Sequence, residues 1–143
     1  MKPTDGIEYE KIVVRLLCER GYHARRMNGD NPHGMDAMVD GVECEIKGSV
    51  LHCLRHGRQG FAWLFVRAGK PRGVHGDIVI LLAHRDDRDD LFIFPSSIVE
   101  DQNYIEITVT GDEFYSGSKL TLFHNGFDYL DEEIASTKEK EAA

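Results

Sequence analysis

Met35-Asp36-Ala37-Met38-Val39-Asp40-Gly41-Val42-Glu43-Cys44-Glu45-Ile46-Lys47 is the stretch on which the fold turns. Asp-Gly between two apolar-patterned runs is a strong hairpin signal, because both central residues of a type I′ turn need positive φ. It predicts a strand over Met35 to Val39 that returns as a second strand over Val42 to Lys47. The returning strand alternates, with Val42, Cys44 and Ile46 on one face and Glu43, Glu45 and Lys47 on the other. The hairpin brings Asp36 into the same small region as Glu45 and Lys47. Two neighbouring carboxylates stay charged together only if a cation intervenes, and hard oxygen donors suit Mg2+. An ammonium beside such an ion can orient a water or stabilise developing negative charge. These are the parts of metal-assisted phosphodiester hydrolysis. The plainer reading makes Glu43, Glu45 and Lys47 the solvent face of a half-buried sheet, where a Glu–Lys pair is ordinary.

Working outward, residues 5–20 read as a helix. Thr4 or Asp5 caps it, Glu8 and Glu10 favour its N-terminal part, and Ile7, Val13, Val14 and Leu17 recur at helical spacing until Gly21 stops it. Tyr22 to Met27 reads as a short strand, and Asn28 to Gly34 as a polar loop. Gly48 to Gly60 is open between an irregular connection and a short helix. Phe61 to Arg67 is a strand whose Phe61, Trp63 and Phe65 share a face, suiting either a core or base stacking. Asp77 to Ala83 is strongly apolar, as a central strand buried on both faces is. Leu91 to Phe94, Tyr104 to Thr110 and Lys119 to Phe123 are expected strands. Phe127 to Glu139 is an expected helix.

The pattern Gly34-Met35-Asp36 followed by Glu45-Ile46-Lys47 resembles the PD-(D/E)XK nuclease superfamily. The run Glu10-Lys11-Ile12-Val13-Val14, with Leu17 and Gly21-Tyr22, is similar to the opening helix of its Holliday-junction-resolvase-like branch. The motif content covers about residues 5–49; beyond that, strand order resembles restriction and intron-encoded members. The resemblance implies an α/β, restriction-endonuclease-like core: a mixed β-sheet flanked by helices, cleaving DNA with Mg2+, or Mn2+ in its place. Asp36 and Glu45 would hold the metal, Lys47 would position the attacking water, and Glu10 would assist, with Glu8 as the fallback. Met35 stands where a proline often precedes the aspartate. Members also place a Gln or Arg after the third strand, for which Arg55, Arg58 and Gln59 are candidates. Arg25 and Arg26, beside the hairpin, are candidates to contact phosphate.

The 143 residues, 41% hydrophobic, support one core and a single domain over 1–143, with an acidic tail expected to fray from about 136. No stretch approaches the roughly 20 apolar residues of a membrane span. Met1-Lys2-Pro3-Thr4-Asp5 leads into no apolar signal region, and Cys18, Cys44 and Cys53 are odd and scattered; both fit a reducing, cytoplasmic setting. His52, Cys53 and His56 lack the second half that a zinc site needs. The net charge of −8 opposes indiscriminate DNA binding. Lys and Arg are nonetheless frequent from Arg15 to Arg72, and acid gathers at 86–90, 100–101 and after Asp128. The charge also leaves room for an alternative, a non-catalytic subunit or interaction module of a phage, restriction or repair assembly. Cutting both strands of DNA would need a homodimer or higher assembly, with Phe92, Phe94, Ile105 and Ile107 as interface candidates.

Overall fold

The computed structural model describes residues 6–27, 36–67, 70–71, 76–99 and 102–142. Its first element, helix α1 (Gly6–Glu19), ends in a Schellman motif. Gly21 takes φ 107°, its N–H donates to Cys18 O at 3.0 Å, and Tyr22 N–H donates to Leu17 O at 3.0 Å. Strand β1 (Ala24–Arg26) follows, then β2 (Ala37–Val39) and β3 (Val42–Val50). The turn between β2 and β3 forms as its sequence requires, with φ 48° at Asp40 and 87° at Gly41. Thereafter come β4 (His52–Cys53), β5 (Gln59–Leu64), β6 (Val66–Arg67), β7 (Lys70–Pro71), β8 (Ile78–His84) and β9 (Asp89–Pro95). After a 3-10 turn at Ser96–Ile98 the chain completes β10 (Tyr104–Thr110), β11 (Glu113–Phe114), a second 3-10 helix (Lys119–Phe123) and helix α2 (Phe127–Ala142).

Five strands form the main sheet in the order β1-β2-β3-β8-β9. It is mixed: β3 and β8 run parallel, and the other neighbours are antiparallel. The residue pattern of β8 explains its inner place. Ile78, Ile80 and Leu82 enter one core with Val13 and Leu17 of α1 and Leu130 and Ile134 of α2. Val79, Leu81 and Ala83 enter a second core with Phe61, Trp63, Phe65, Phe92 and Phe94. Both helices therefore cover one face of the main sheet. The other face is covered by a four-stranded sheet in the order β11-β10-β5-β4. Trp63 ties these layers together, its indole N–H donating to Leu82 O at 3.1 Å. No helix among the described residues is long and apolar enough to cross a membrane.

Two expectations change, and one open reading closes. Lys119–Phe123 is a 3-10 helix and not a strand, because Ser118 takes Leu120 N–H at 3.2 Å and its carbonyl takes the Thr121 hydroxyl at 2.7 Å, local bonds that outcompete a ladder. Phe92, Phe94 and Ile107, expected at an interface, are at most 2% exposed and fill the space between the two sheets within one chain. Gly48–Gly60 holds no helix: β3 runs on to Val50 and β4 pairs back on β5. Helix α2 runs from Phe127 through Ala142.

Candidate active site

The site forms where β2 and β3 part. Their ladder runs from Val39↔Val42 to Ala37↔Cys44, whereas β3 stays paired to β8 as far as Val50↔His84. Among the described residues the β2–β3 ladder ends at Ala37↔Cys44. Asp36 stands at that end. Its N–H donates to Cys44 O at 3.0 Å, its carbonyl takes Met27 N–H at 3.0 Å, and its Oδ2 takes Ile46 N–H at 2.8 Å. A carboxylate held at the main chain and the side chain has little rotamer freedom left to lose when a ligand arrives.

Ile46 separates Glu45 from Lys47, so the amide that holds Asp36 lies between the other two residues. The period-two face of β3 turns Glu45 and Lys47 toward the second sheet. There the Glu45 side chain is fully buried, the Lys47 side chain is 18% exposed, and Nζ lies 3.9 Å from Glu45 Oε1. The ammonium also lies 5.9 Å from the centre of the Phe65 ring. The structure thus gathers Asp36, Glu45 and Lys47 around one peptide unit. Behind it, burial pushes the Cys44 thiol far up, which keeps it protonated and inert.

Glu10 approaches from the helix layer. Its Oε1 lies 3.3 Å from Arg26 Nε, and Arg26 is the register partner of Ala37, the neighbour of Asp36. Of the two helix carboxylates, Glu10 is turned inward, 15% exposed, whereas Glu8 is 52% exposed and pairs with Lys11 at 3.5 Å. The level at which α1 crosses β3 is set by Gly48, where a Cβ would lie 2.0 Å from the Tyr9 ring. The phosphate candidates divide. Arg25 is exposed on β1, while Arg26 is engaged by Glu10. Arg55, Arg58 and Gln59 lie on the β4–β5 hairpin of the second sheet, where the Arg55 guanidinium stands 5.7 Å from the Tyr104 ring centre.

The donor set decides which metal the site suits. Among the described residues no three His, Cys, Asp or Glu side chains come together as a metal cage. Asp36 and Glu45 are two hard carboxylates; holding an ion, they would leave its other coordination positions to water and a phosphate. Mg2+ is bound in that way, while structural zinc requires four protein ligands.

Two contacts were not foreseeable from motif reading. Ser49 Oγ accepts Ala62 N–H at 3.1 Å and clips β3 to β5, and Phe65 reaches Lys47 across the layers. The alternation of Lys47 and Ser49 with the aromatic face of β5 was the available signal. No family model matches the chain. No curated protein sequence matches it. Among solved structures, it superposes on a bacterial homing endonuclease, I-Ssp6803I, with a TM-score of 0.71 and 16% identity, covering 98% of this chain and 99% of that one. The chain therefore has a nuclease-like fold, a mixed sheet flanked by two helices, shared with that endonuclease over nearly its whole length.

Proposed function

We propose that this protein is a metal-dependent DNA endonuclease whose site is Asp36, Glu45 and Lys47. The observation that carries the reading is the convergence of these three side chains on Ile46, at the parting of the hairpin. The nuclease-like fold shared with a homing endonuclease supports it. Asp36 and Glu45 would hold Mg2+, with Mn2+ as a substitute; when bound, the ion lowers the pKa of water and neutralises charge on the phosphate. The rigid hold on Asp36 presets its oxygen for a ligand. Lys47, anchored beside the buried Glu45 and mostly shielded from bulk water, orients the attacking water and faces the negative charge that develops at phosphorus. Glu10, fixed by Arg26, assists from the helix layer, and Arg25 with the Arg55, Arg58 and Gln59 hairpin supplies DNA contacts. One site per chain calls for two chains to cut both strands, so a dimer or higher assembly acts. The test is nicking and linearisation of supercoiled plasmid and of branched duplexes, with and without Mg2+, by the wild type and by Asp36→Ala and Lys47→Ala. Cleavage only by the wild type with metal is expected; equal cleavage by all three chains rules the site out.

A further inference from the structure

We propose that the outer face of the second sheet reads one C·G base pair near the cut, with Glu106 as the group that recognises cytosine; this rests on the endonuclease reading. The first observation is an open face. On β10, Ile105 and Ile107 pack into the second core, so Tyr104, Glu106 and Thr108 are turned outward. Their register partners on β5 are Leu64, Ala62 and Gly60. Ala62 and Gly60 are too small to cover the residues opposite, and no side chain fits at Gly60, where a Cβ would lie 2.3 Å from Ile107 O. A cavity of about 560 Å³ opens there, with His56, Arg58, Glu106, Thr108 and Tyr115 among its walls.

The second observation is the bracing of Glu106. Tyr104 O–H donates to its Oε2 at 2.6 Å, and His56 Nε2 lies 3.5 Å from its Oε1. Arg58 N–H donates to His56 Nδ1 at 3.4 Å, which puts the proton of the neutral ring on Nε2, toward the carboxylate. The Arg55 guanidinium stands against the Tyr104 ring, 5.7 Å from its centre. A carboxylate accepts more bonds than these two, so acceptor capacity remains on a group that is held in place and still 32% exposed. Exposed ion pairs of this kind add little to stability. What the bracing provides is an acceptor whose orientation is fixed before a ligand arrives. In the major groove cytosine presents only an amino donor, whereas the adenine amino group lies beside the N7 acceptor, which repels a carboxylate. The guanine paired with that cytosine presents N7 and O6, which suit the Arg58 guanidinium on the same cavity.

The third observation is position. Between Gly48 and Leu64 the chain holds Arg55 and Arg58 and no Asp or Glu, so basic groups gather at this face on a protein of net charge −8. Ala62, the register partner of Glu106, donates its N–H to Ser49 Oγ at 3.1 Å, and Ser49 follows Lys47 by two residues on β3. Three residues further along β5, the Phe65 ring centre lies 5.9 Å from the Lys47 ammonium. Glu106 is thus offset from the site by about 10 Å of strand, or about three base-pair steps.

The experiment digests a duplex pool of high sequence complexity in Mg2+ and sequences the cut ends. Compared are the wild type, Glu106→Gln, Arg58→Ala, and Glu132→Gln, which removes the same charge from an exposed position on the far helix α2. The wild type is expected to favour cytosine at one fixed position a few base pairs from the cut, by about 5- to 150-fold over other bases. Glu106→Gln should lose that preference and turn toward adenine, whose N6 and N7 match an amide. Arg58→Ala should weaken the preference at the same base pair, and Glu132→Gln should keep it. The Arg58 variant leaves the Glu106 side chain intact, so the reading stays open to refutation even if Glu106→Gln does not fold. A wild type that cuts without base preference near the cut, or a preference at that position unchanged in both Glu106→Gln and Arg58→Ala, overturns the base reading and leaves the endonuclease standing. A wild type that cuts nothing in the pool overturns the endonuclease reading and the base reading with it.

Discussion

Asp36, Glu45 and Lys47 on the β2–β3 hairpin, and Arg88, Asp90 and His124 around β9, are both knots of carboxylate and base, yet they are wired differently. Asp90 is 8% exposed. Arg88 grips both its oxygens, Nε to Oδ2 at 2.8 Å and Nη2 to Oδ1 at 3.1 Å, and His124 Nε2 donates to Oδ1 at 2.8 Å. The backbone of His124 forms a bridge with Phe92, so the knot binds the second 3-10 helix to the outer edge of β9. Its charges are spent on one another, inside continuous structure. Asp36 instead accepts a neutral main-chain amide at the place where a ladder opens, and the Lys47 ammonium stands 3.9 Å from Glu45, outside hydrogen-bond range. The same residue types make a clamp in one setting and a candidate site in the other. The deciding variable is whether the sheet closes over them.

That contrast predicts a double dissociation, and its largest effect is on chemistry. Lys47→Ala and Asp36→Ala are expected to lower plasmid cleavage in Mg2+ by about 10²–10⁴-fold, the usual cost of losing a positioned acid–base or charge-stabilising group. Their urea midpoints should stay close to the wild type. Asp90→Ala should do the reverse. It strips a buried, charge-assisted network and costs about 2–3 kcal/mol of unfolding free energy, with cleavage within a few-fold of wild type. Urea titration with parallel cleavage assays checks both halves; loss of cleavage by Asp90→Ala at full stability would merge the clamp with the site.

A smaller effect separates the two faces of β3. Gly48→Ala puts a Cβ 2.0 Å from Tyr9 on the helix face and leaves the Glu45–Lys47 face untouched. Overpacking of this kind costs about 1–3 kcal/mol. The first turns of α1 must shift, and with them Glu10. If Glu10 assists the reaction, Gly48→Ala and Glu10→Gln lower cleavage together, each by far less than Lys47→Ala. Unchanged cleavage in both variants would confine Glu10 to its ion pair with Arg26.

The legibility of these regions follows the range of the interactions behind them. The hairpin trio was readable because a two-residue turn fixes register locally and period two does the rest. The Schellman end of α1 at Gly21 was readable for the same reason. The apolar run at 77–83 announced burial on both faces, but not which layer covered each. That depended on Trp63, Phe61 and Phe65 meeting Leu81 and Phe92 from a separate sheet, a pairing of distant segments that no local pattern encodes. Lys119–Phe123 looked like a strand because Leu120, Leu122 and Phe123 are apolar, while the Ser118 cap that winds it into a 3-10 helix is one hydroxyl. Phe92 and Phe94 suggested an interface because an isolated strand cannot reveal that its own chain supplies the opposing face. No local pattern signalled that Arg26 would meet Glu10, sixteen positions earlier.

The smallest expected effect tests the clamp through acid. Burial pushes the Asp90 carboxyl up, but hydrogen bonds from Arg88 and His124 and their charges outweigh it, and the group is held below its ordinary value. In the unfolded chain an aspartate titrates near about 3.9. Below that pH the unfolded state takes up a proton that the folded state still refuses, so acid favours unfolding. The contribution of Asp90 is therefore complete above the unfolded value and fades as pH falls through the depressed folded one. The gap in urea midpoint between the wild type and Asp90→Asn should be level from neutral pH to about pH 5 and should narrow below about pH 4. A gap that holds its full width to the acid end would mean that protonated Asp90 holds Arg88 and His124 as well as the charged carboxylate does, and that the clamp works by shape. A gap that closes would mean that it works by charge, through the grip of Arg88 and His124 on the Asp90 carboxylate.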